Sequence, residues 1–238
     1  MSSDKGNILL SKLSARSRER LLAHTTAVSL PLRTPLYEAE RPPAYGYFIT
    51  SGIASVVTTM ADGATAEVGL IGREGLVGCI HLLGGAPVST HCFVQLEATA
   101  LRIPYSQLQK EFNSSEEVRK RVLEFVQEQA LSVSQLAACQ RLHEAEARLG
   151  RWLLMARDRT QSDMLEFTQE FLAMMLGAQR TTVTMVAGGL QRKGFIEYRR
   201  GRVKIIDGPG LESAACDCYQ VTRRLYANLY KDAPSRPA

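Results

Sequence analysis

The sequence predicts an α+β fold in which a β-rich domain comes first, a long helix follows and a winged helix-turn-helix comes last. Three observations predict it. Residues 47–103 are rich in β-branched residues and glycines, residues 116–142 contain neither proline nor glycine, and residues 167–206 alternate like two helices followed by two strands. The many short strands and glycine-rich turns of the β-rich part predict a small barrel or sandwich.

The composition limits the class of protein. The chain has 238 residues, of which 45% are apolar and 22% charged, so it is a globular protein of one large or two small domains. The apolar runs are too short to span a bilayer and no secretory signal is recognisable, so we expect a cytoplasmic protein without a membrane partner. Five scattered cysteines lack disulfide-framework spacing and are expected to be reduced thiols.

The N-terminal elements begin with a short helix, predicted from leucines that recur near helical spacing between Ile8 and Leu22. Residues 47–60 then read as strand, with Gly52 as a turn or bulge. Asp62-Gly63 lies between two β-prone runs and predicts a hairpin. Further β-prone stretches are residues 66–71 and 92–103.

The spacing of apolar residues then changes to a helical period. Pro104 and Ser106 open a short helix, and Ser115 followed by two glutamates marks the start of a second helix that continues to about Leu142. The apolar residues of this long helix fill more than one stripe, which is typical of a helix that packs on two partners. A heptad seam from Val122 to His143 is half polar and allows a coiled-coil dimer without requiring one. A helix is also predicted after His143, because Leu149, Trp152, Leu153 and Ala156 share one face.

Residues 167–191 have the pattern of two short helices joined by a tight turn. Thr168 is a suitable cap for the first helix, Ala173 is small where the second helix crosses, and Gly177 supplies the positive φ of the turn. The apolar flanks that bury the angle between the helices are Leu172, Leu176, Ala178, Val183 and Val186. A helix-turn-helix can place its second helix in a major groove. An ordinary αα-hairpin in a helical core is the alternative.

A basic hairpin follows the two helices. Strand-like residues 194–198 and 203–206 flank the turn Arg199-Arg200-Gly201-Arg202. Core packing explains the apolar residues of the strands, whereas phosphate contact explains three arginines within four residues. Residues 177–204 hold seven basic residues and one acidic residue, which suggests a polyanion partner, although charge alone favours the alternative of a solvated charged face.

With these motifs in place, the chain resembles the Crp/Fnr family of bacterial transcription regulators over about residues 8–207. The matching stretches are Thr168-Gln169-Glu170, residues 176–183 and residues 190–196, with weaker matches at residues 9–22, 47–52 and 72–78. The resemblance implies a cyclic-nucleotide-binding-like sensor domain over residues 1–115, folded as a double-stranded β-helix, that is, a jelly-roll-like β-roll. It also implies a long dimerisation helix with its hinge over 116–143. A winged helix-turn-helix DNA-binding domain with a C-terminal helix would then occupy residues 144–238.

The resemblance also implies what the protein does. It implies a homodimer that binds a palindromic site in double-stranded DNA and controls promoter activity, with RNA polymerase as a further partner. The residues expected to contact DNA are Thr168, Gln169, Gln179, Arg180, Thr181, Thr184, Met185, Arg192, Lys193, Arg199, Arg200 and Arg202. Arg180 matches a position that commonly reads guanine. Thr181 and Met185 replace a frequent glutamate and a frequent arginine of the family, so a different base preference is expected.

The sensor domain departs from the family members that bind cyclic AMP. Those members use a Gly-Glu pair followed downstream by Arg-Ser or Arg-Thr, whereas here Cys79 follows Gly78 and residues 86–91 contain no arginine. A buried phosphate without a cation is costly, so canonical cyclic AMP is not the expected effector. No cofactor is predicted, and an unknown small effector is allowed. Its candidate pocket comprises Gly72, Arg73, Glu74, Gly75, Gly78, Cys79, Ser89 and Thr90.

Other residues with reactive or ligating side chains do not form a standard set. Cys79, His81, His91 and Cys92 share one β-rich stretch; buried structural side chains are favoured over a metal, haem or thiol sensor site. A C-terminal helix is predicted from Leu211 to Tyr230. On it, Cys218 is assigned to core packing with Val221 and Leu225 rather than to a metal site with Cys216.

Enzyme motifs are absent from the sequence: there is no Walker loop, no nucleophile elbow and no cupin metal motif, so no enzyme is expected. The alternative to a DNA-binding regulator is a ligand-binding signalling module without a DNA role. A duplex affinity that falls steeply with salt separates the two functions.

Overall fold

The computed structural model describes residues 6–199 and 201–231, with the backbone alone at Gln169. The helices are α1 (Ile8–Ser11), α2 (Ala15–Leu22), α3 (Tyr105–Ser114), α4 (Glu116–Leu142), α5 (Ala145–Thr160), α6 (Gln169–Leu176), α7 (Arg180–Arg192), α8 (Gly208–Ala214) and α9 (Cys218–Asn228), with a short 3-10 helix at Cys79–Leu82. The strands are β1 (Thr26–Leu30), β2 (Pro35–Tyr37), β3 (Tyr45–Thr59), β4 (Thr65–Ile71), β5 (Leu76–Val77), β6 (Thr90–Pro104), β7 (Met164–Glu166), β8 (Ile196–Arg199) and β9 (Arg202–Ile205). Among these described helices, none has the length and apolar character needed to cross a membrane.

The N-terminal domain is an antiparallel β-roll with the strand order β1-β6-β3-β4, to which β2 and β5 add short pairings with β6 and β3. Gly52 forms the predicted bulge in β3: its φ is +77°, the register shifts on both sides of it, and an added Cβ would lie 2.2 Å from the carbonyl oxygen of Glu97. The Asp62-Gly63 hairpin is also confirmed, because Thr59 pairs with Thr65 and Gly63 has a φ of +83°.

The predicted N-terminal helix is two short helices, because residues 12–14 leave the helical path between α1 and α2. Asn7 caps α1, and its Nδ2 donates to the carbonyl oxygens of Ile49 and Gly75 in the β-roll. The backbone N–H of Ser14, the cap of α2, donates to the carboxylate of Glu117 at 2.6 Å. Polar contacts at the two caps therefore fix α1 on the sheet and α2 on α4.

The long helix α4 begins and ends where the sequence predicts. Ser115 caps it by accepting from the N–H of Val118, and His143 follows its last turn. The proposed heptad seam faces inward, since Val122, Phe125 and Cys139 are buried inside their own chain. The face left exposed carries apolar and small residues instead: Leu123, Ala130, Leu131, Ala137, Ala138 and Leu142.

The C-terminal domain, from α5 onward, shares a hydrophobic core with the β-roll. Trp152 and Leu153 of α5 belong to the same buried cluster as Ile53, Leu70 and Leu96 of the roll. A second contact between the domains is a buried ion pair, in which the Nε of Arg159 donates to the Oε1 of Glu74 at 2.8 Å. The two domains are therefore docked against each other.

The prediction of one C-terminal helix from Leu211 to Tyr230 was wrong. Asp207 caps α8 by accepting from the N–H of Gly210, and the chain leaves the helical path at Ala215 before α9 begins. This break lets Cys216 turn back toward α5, where its N–H donates to the carbonyl oxygen of Ala147. After α9, the hydroxyl of Tyr230 donates to the carbonyl oxygen of Glu74 at 2.6 Å.

Candidate DNA-binding surface

The helix-turn-helix consists of α6 and α7, joined at Gly177. The hydroxyl of Thr168 caps α6 by accepting from the N–H of Phe171 at 3.2 Å. Gly177 adopts the left-handed conformation with a φ of +57°, and the next N–H donates to the carbonyl oxygen of Ala173 at 3.0 Å. This is the helix ending that glycine favours, because a Cβ is disfavoured at positive φ. The predicted small, turn and cap residues therefore occupy the expected positions.

The N-terminal half of α7 presents one exposed face. The predicted base-reading residues all lie on it: Gln179, Arg180, Thr181, Thr184 and Met185. Val183 and Val186 face the other way and are buried against α6 and α5. Met185 is 66% exposed, which is unusual for a large apolar side chain in a polar face. The start of α7 also exposes backbone N–H groups, which favour anions.

The basic hairpin is the predicted wing. Arg199 pairs with Arg202 across β8 and β9, and Gly201 has a φ of +80° at the turn. A third strand, β7, pairs with β9 on the side opposite β8. It has only three residues, which is too short for an alternating pattern to be recognised in the sequence. Arg200 lies outside the residues that the structure describes.

The arginines of the wing have weak partners. Arg202 Nε lies 3.0 Å from Glu166 Oε1 and Arg199 Nη1 lies 3.9 Å from Glu197 Oε1, with all four side chains exposed. Exposed ion pairs of this kind contribute about 0–1 kcal/mol. Both arginines can therefore exchange a carboxylate for a phosphate at little cost.

The other predicted phosphate contacts divide into two kinds. Arg192 is exposed at the end of α7, whereas Lys193 pairs with Glu146 of α5 and braces the two helices. Thr168 accepts a hydrogen bond as a cap, so its own O–H remains a donor for a phosphate oxygen. At Gln169 only the backbone is described, at the first turn of α6.

Four of the predicted effector residues form the turn between β4 and β5. The turn from Gly72 to Gly75 is filled by its own chain, because Glu74 accepts from the Gly72 N–H and from Arg159, and Phe125 lies against Gly75. Arg73 donates to the carbonyl oxygen of Gly6 and to the side chain of Gln161.

The remaining effector candidates lie at another part of the roll. Gly78 is the left-handed cap of the 3-10 helix, Cys79 is buried, and Ser89 is exposed. Thr90 hydrogen-bonds the hydroxyl of Tyr37 at 3.1 Å. The assignment of an effector pocket to these eight residues remains a prediction.

The four residues weighed as a sensor site do not form a group of converging ligand atoms among the described residues. His81 stands edge-on to Tyr37 at 4.9 Å between ring centroids, whereas His91 stacks on Phe93. Burial raises the pKa of the Cys79 thiol to about 12 and also raises that of Cys92. Both thiols are therefore protonated at neutral pH.

Two features of the structure were missed by sequence reasoning. The first is the domain contact made by Trp152, whose Nε1 donates to Glu67 at 2.7 Å. The second is a group of side chains at the end of α4 that includes Cys139 and His143. A signal for the second was available, because a cysteine and a histidine four residues apart lie on one face of a helix.

Comparisons with known proteins agree with this geometry. Residues 27–115 match the family described as a cyclic nucleotide-binding domain, and residues 147–214 match the family described as a Crp-like helix-turn-helix domain. No curated protein sequence matches the chain.

Solved structures share the fold. The c-di-GMP responsive global regulator CLP of Xanthomonas campestris is 22% identical with a TM-score of 0.66, over 81% of this chain and 99% of that chain. FixK2 of Bradyrhizobium japonicum is 15% identical with a TM-score of 0.68, over 81% and 98%. A CRP-family transcriptional regulator of Thermus thermophilus is 22% identical with a TM-score of 0.65, over 79% and 96%.

The two matched families occur here in the order β-roll then helix-turn-helix, joined by α4. This combination supports a DNA-binding role over a signalling module without one. The chain belongs to the Crp/Fnr family of DNA-binding transcription regulators.

Proposed function

We propose that the protein binds a palindromic site in duplex DNA as a homodimer and thereby controls transcription by RNA polymerase. The observation that carries the proposal is the exposed face of α7 from Gln179 to Met185, with the cationic wing beside it. A recognition helix in the major groove and a wing on the backbone divide the work between base reading and phosphate binding.

The residues at the start of α7 read the bases. Arg180 is at the first helical position, and its guanidinium can donate two hydrogen bonds to the O6 and N7 of a guanine. Thr184 donates to the carbonyl oxygen of Arg180 at 3.0 Å, so its hydroxyl oxygen is left as an acceptor. Met185 has no polar group and suits the methyl group of a thymine. Gln179 and Thr181 flank this set.

The cap of α6 and the wing bind phosphate. Thr168, Gln169, Arg192 and Lys193 border the two helices, and Arg199 and Arg202 flank the turn of the wing, with Arg200 between them in the sequence. Each neutralised phosphate releases a counterion, so binding weakens as salt rises.

The exposed face of α4 forms the contact between the two copies of the dimer. Leu123, Leu131 and Leu142 are all more than two-fifths exposed, on a helix whose opposite face is buried in its own chain. The alanines between them allow close approach of a second helix. A second copy of α4 covers these leucines by the hydrophobic effect and brings two α7 helices to one face of the dimer.

Control of DNA binding acts through the contacts between the β-roll and the DNA-binding domain. Glu74 and Glu67 of the roll hold Arg159 and Trp152 of α5. A small effector bound in the roll, of a kind other than canonical cyclic AMP, acts on DNA affinity by strengthening or weakening these contacts.

The test uses selection of binding sites from random duplexes, followed by affinity measurements on the best site over a range of salt. Arg180→Ala should cost about 1–3 kcal/mol on that site and relax one base position in each half. Arg199→Ala should weaken all sequences alike and reduce the salt slope by about one. Equal, sequence-independent losses for the two variants would refute base reading by Arg180, and an affinity that does not depend on salt would refute the DNA-binding proposal as a whole.

A further inference from the structure

Four side chains with metal-ligating atoms converge where α4 ends. They are Cys139, His143, Cys216 and Cys218, and each of their ligand atoms lies within 4.8 Å of every other. Cys139 lies in the last turn of α4 and His143 directly follows that helix, whereas Cys216 lies in the break between α8 and α9 and Cys218 begins α9. This hinge cluster lies outside the DNA-binding surface, and no part of the proposed function uses it.

We propose that the hinge cluster binds one divalent transition-metal ion of the zinc type through three thiolates and one imidazole. Three cysteines and one histidine form a standard closed set for tetrahedral zinc. The Sγ atoms of Cys139 and Cys216 are 3.5 Å apart, and the Sγ of Cys218 is 3.5 Å from the Nδ1 of His143. Zinc–ligand bonds of about 2.0–2.3 Å place tetrahedral ligands about 3.5–3.8 Å from one another.

The short distances between the four ligand atoms fit a single metal ion rather than an iron–sulfur cluster. An iron–sulfur cluster places several iron and sulfide atoms between its ligands and therefore spreads them more widely than one ion does. A disulfide between Cys139 and Cys216 would explain why those two thiols are close, but not why His143 and Cys218 lie beside them. Binding of a divalent ion to three thiols and a neutral imidazole releases the thiol protons and leaves the oxidation state of sulfur unchanged.

A second observation concerns the other ring nitrogen of His143, the Nε2. The Nε2 of His143 lies 3.3 Å from the Oδ1 of Asp217, while its Nδ1 faces Cys218. A carboxylate on one ring nitrogen fixes the tautomer in which the other nitrogen is free to bind a metal. Asp217 stands between the two ligating cysteines, so the same short segment supplies two ligands and the residue that orients a third.

The surroundings of the thiols also fit a metal-bound state. The Nε2 of Gln135 donates to the Sγ of Cys218 at 3.0 Å, as expected for a bound thiolate. Arg151 is 3% exposed, and its Nε has no hydrogen-bond partner among the described residues. Three thiolates, an imidazole and a divalent ion carry one net negative charge, which the buried guanidinium of Arg151 balances.

A bound ion would cross-link two elements that are distant in sequence. Cys139 and Cys216 are 77 positions apart, and the ion would tie the end of the dimerisation helix to the start of the last helix. The site therefore adds stability to the hinge itself, independently of whether the protein binds DNA.

The experiment loads the full-length protein with zinc under reducing conditions, removes excess metal and measures metal per chain by mass spectrometry of the native protein. One zinc per chain is expected. Cobalt in place of zinc should give the thiolate charge-transfer band and the intense visible bands of a tetrahedral site. The double variant Cys139→Ser, Cys218→Ser should lose both signals. Cys92→Ser, which alters an equally buried cysteine of the β-roll, should keep them.

A variant that preserves all four ligands covers the case in which the double variant does not fold. Asp217→Asn should keep one zinc per chain and weaken zinc binding by about 10–100-fold in competition with a chelator. The proposal is overturned if the wild-type protein takes up no zinc or cobalt, or if the metal persists in a folded double variant. A Cys139–Cys216 disulfide in protein purified without oxidant, or an unchanged zinc affinity in Asp217→Asn, would also overturn it.

Discussion

Replacing Glu67 by glutamine tests the contact that docks the DNA-binding domain on the β-roll. The Glu67 carboxylate accepts hydrogen bonds from Trp152 Nε1 and Ser55 Oγ at 2.7 Å and from Gln95 Nε2 at 3.0 Å. Burial raises the pKa of Glu67 to about 7, against the lowering effect of these donors and of Arg151. Glutamine keeps an acceptor for Trp152 and removes the titration.

The sign follows from proton binding. The folded-state pKa lies above the ordinary value of 4.5, so the folded protein holds this proton more tightly than the unfolded chain does. The stability contributed by the group is therefore complete below about pH 4.5, is lost as the pH rises to about 7, and changes no further above that. The difference between the two pKa values corresponds to about 3 kcal/mol, of which about 2.5 kcal/mol falls between about pH 5 and about pH 8.

The assay is urea unfolding at these two pH values, followed by the fluorescence of the single tryptophan. Trp152 is 2% exposed at the domain contact, so its emission reports undocking directly. Relative to wild type, Glu67→Gln should gain about 2.5 kcal/mol in unfolding free energy on going from about pH 5 to about pH 8. Glu97→Gln, which alters an exposed glutamate on β6 of the same sheet, serves as the control and should show no such gain.

A difference between wild type and Glu67→Gln that is the same at both pH values would refute the reasoning. So would a variant that loses stability relative to wild type as the pH rises, because that result would mean the charged carboxylate is the form that stabilises the docked state.

Two further predictions concern the dimer and the turn. Leu131→Glu places a charge on the exposed face of α4 and should convert the dimer to a monomer in analytical ultracentrifugation; Leu32→Glu, equally exposed on the β-roll, should leave the dimer intact. Gly177→Ala should lower the unfolding free energy by about 1 kcal/mol, because its φ is +57° although no atom lies within 4 Å of the added Cβ. Gly177→Asn should cost less, since asparagine tolerates this conformation, and equal losses for the two would show that φ is not the cause.

The elements that sequence reasoning predicted correctly are those fixed within a few residues. Gly52, Asp62-Gly63, the Thr168 cap and Gly177 each carry their reason in local backbone conformation. Helical periodicity likewise located α5 and α7, since apolar residues three and four apart need no distant partner to define a face.

The elements that were missed depend on contacts between distant parts of the chain. Glu67 and Trp152 are 85 positions apart, and nothing near either residue marks the other as its partner. Periodicity along α4 shows that a face is apolar but not which neighbour covers it, so the sequence left a dimer seam through Val122 and Phe125 open, whereas in the structure the β-roll covers both residues. The predicted C-terminal helix contains no glycine or proline that would mark an end, and the structure breaks it where Cys216 contacts α5.

The attachment of Tyr230 to Glu74 has a mechanical consequence. The DNA-binding domain is joined to the β-roll side of the molecule at its beginning, through α4 and α5, and again at its end, through this buried hydroxyl. A domain fastened at one end turns by any small angle, whereas a domain fastened at both ends cannot turn until one fastening opens. Repositioning of α7 is therefore expected to be a switch between two discrete orientations that requires release of the Tyr230 hydroxyl from Glu74.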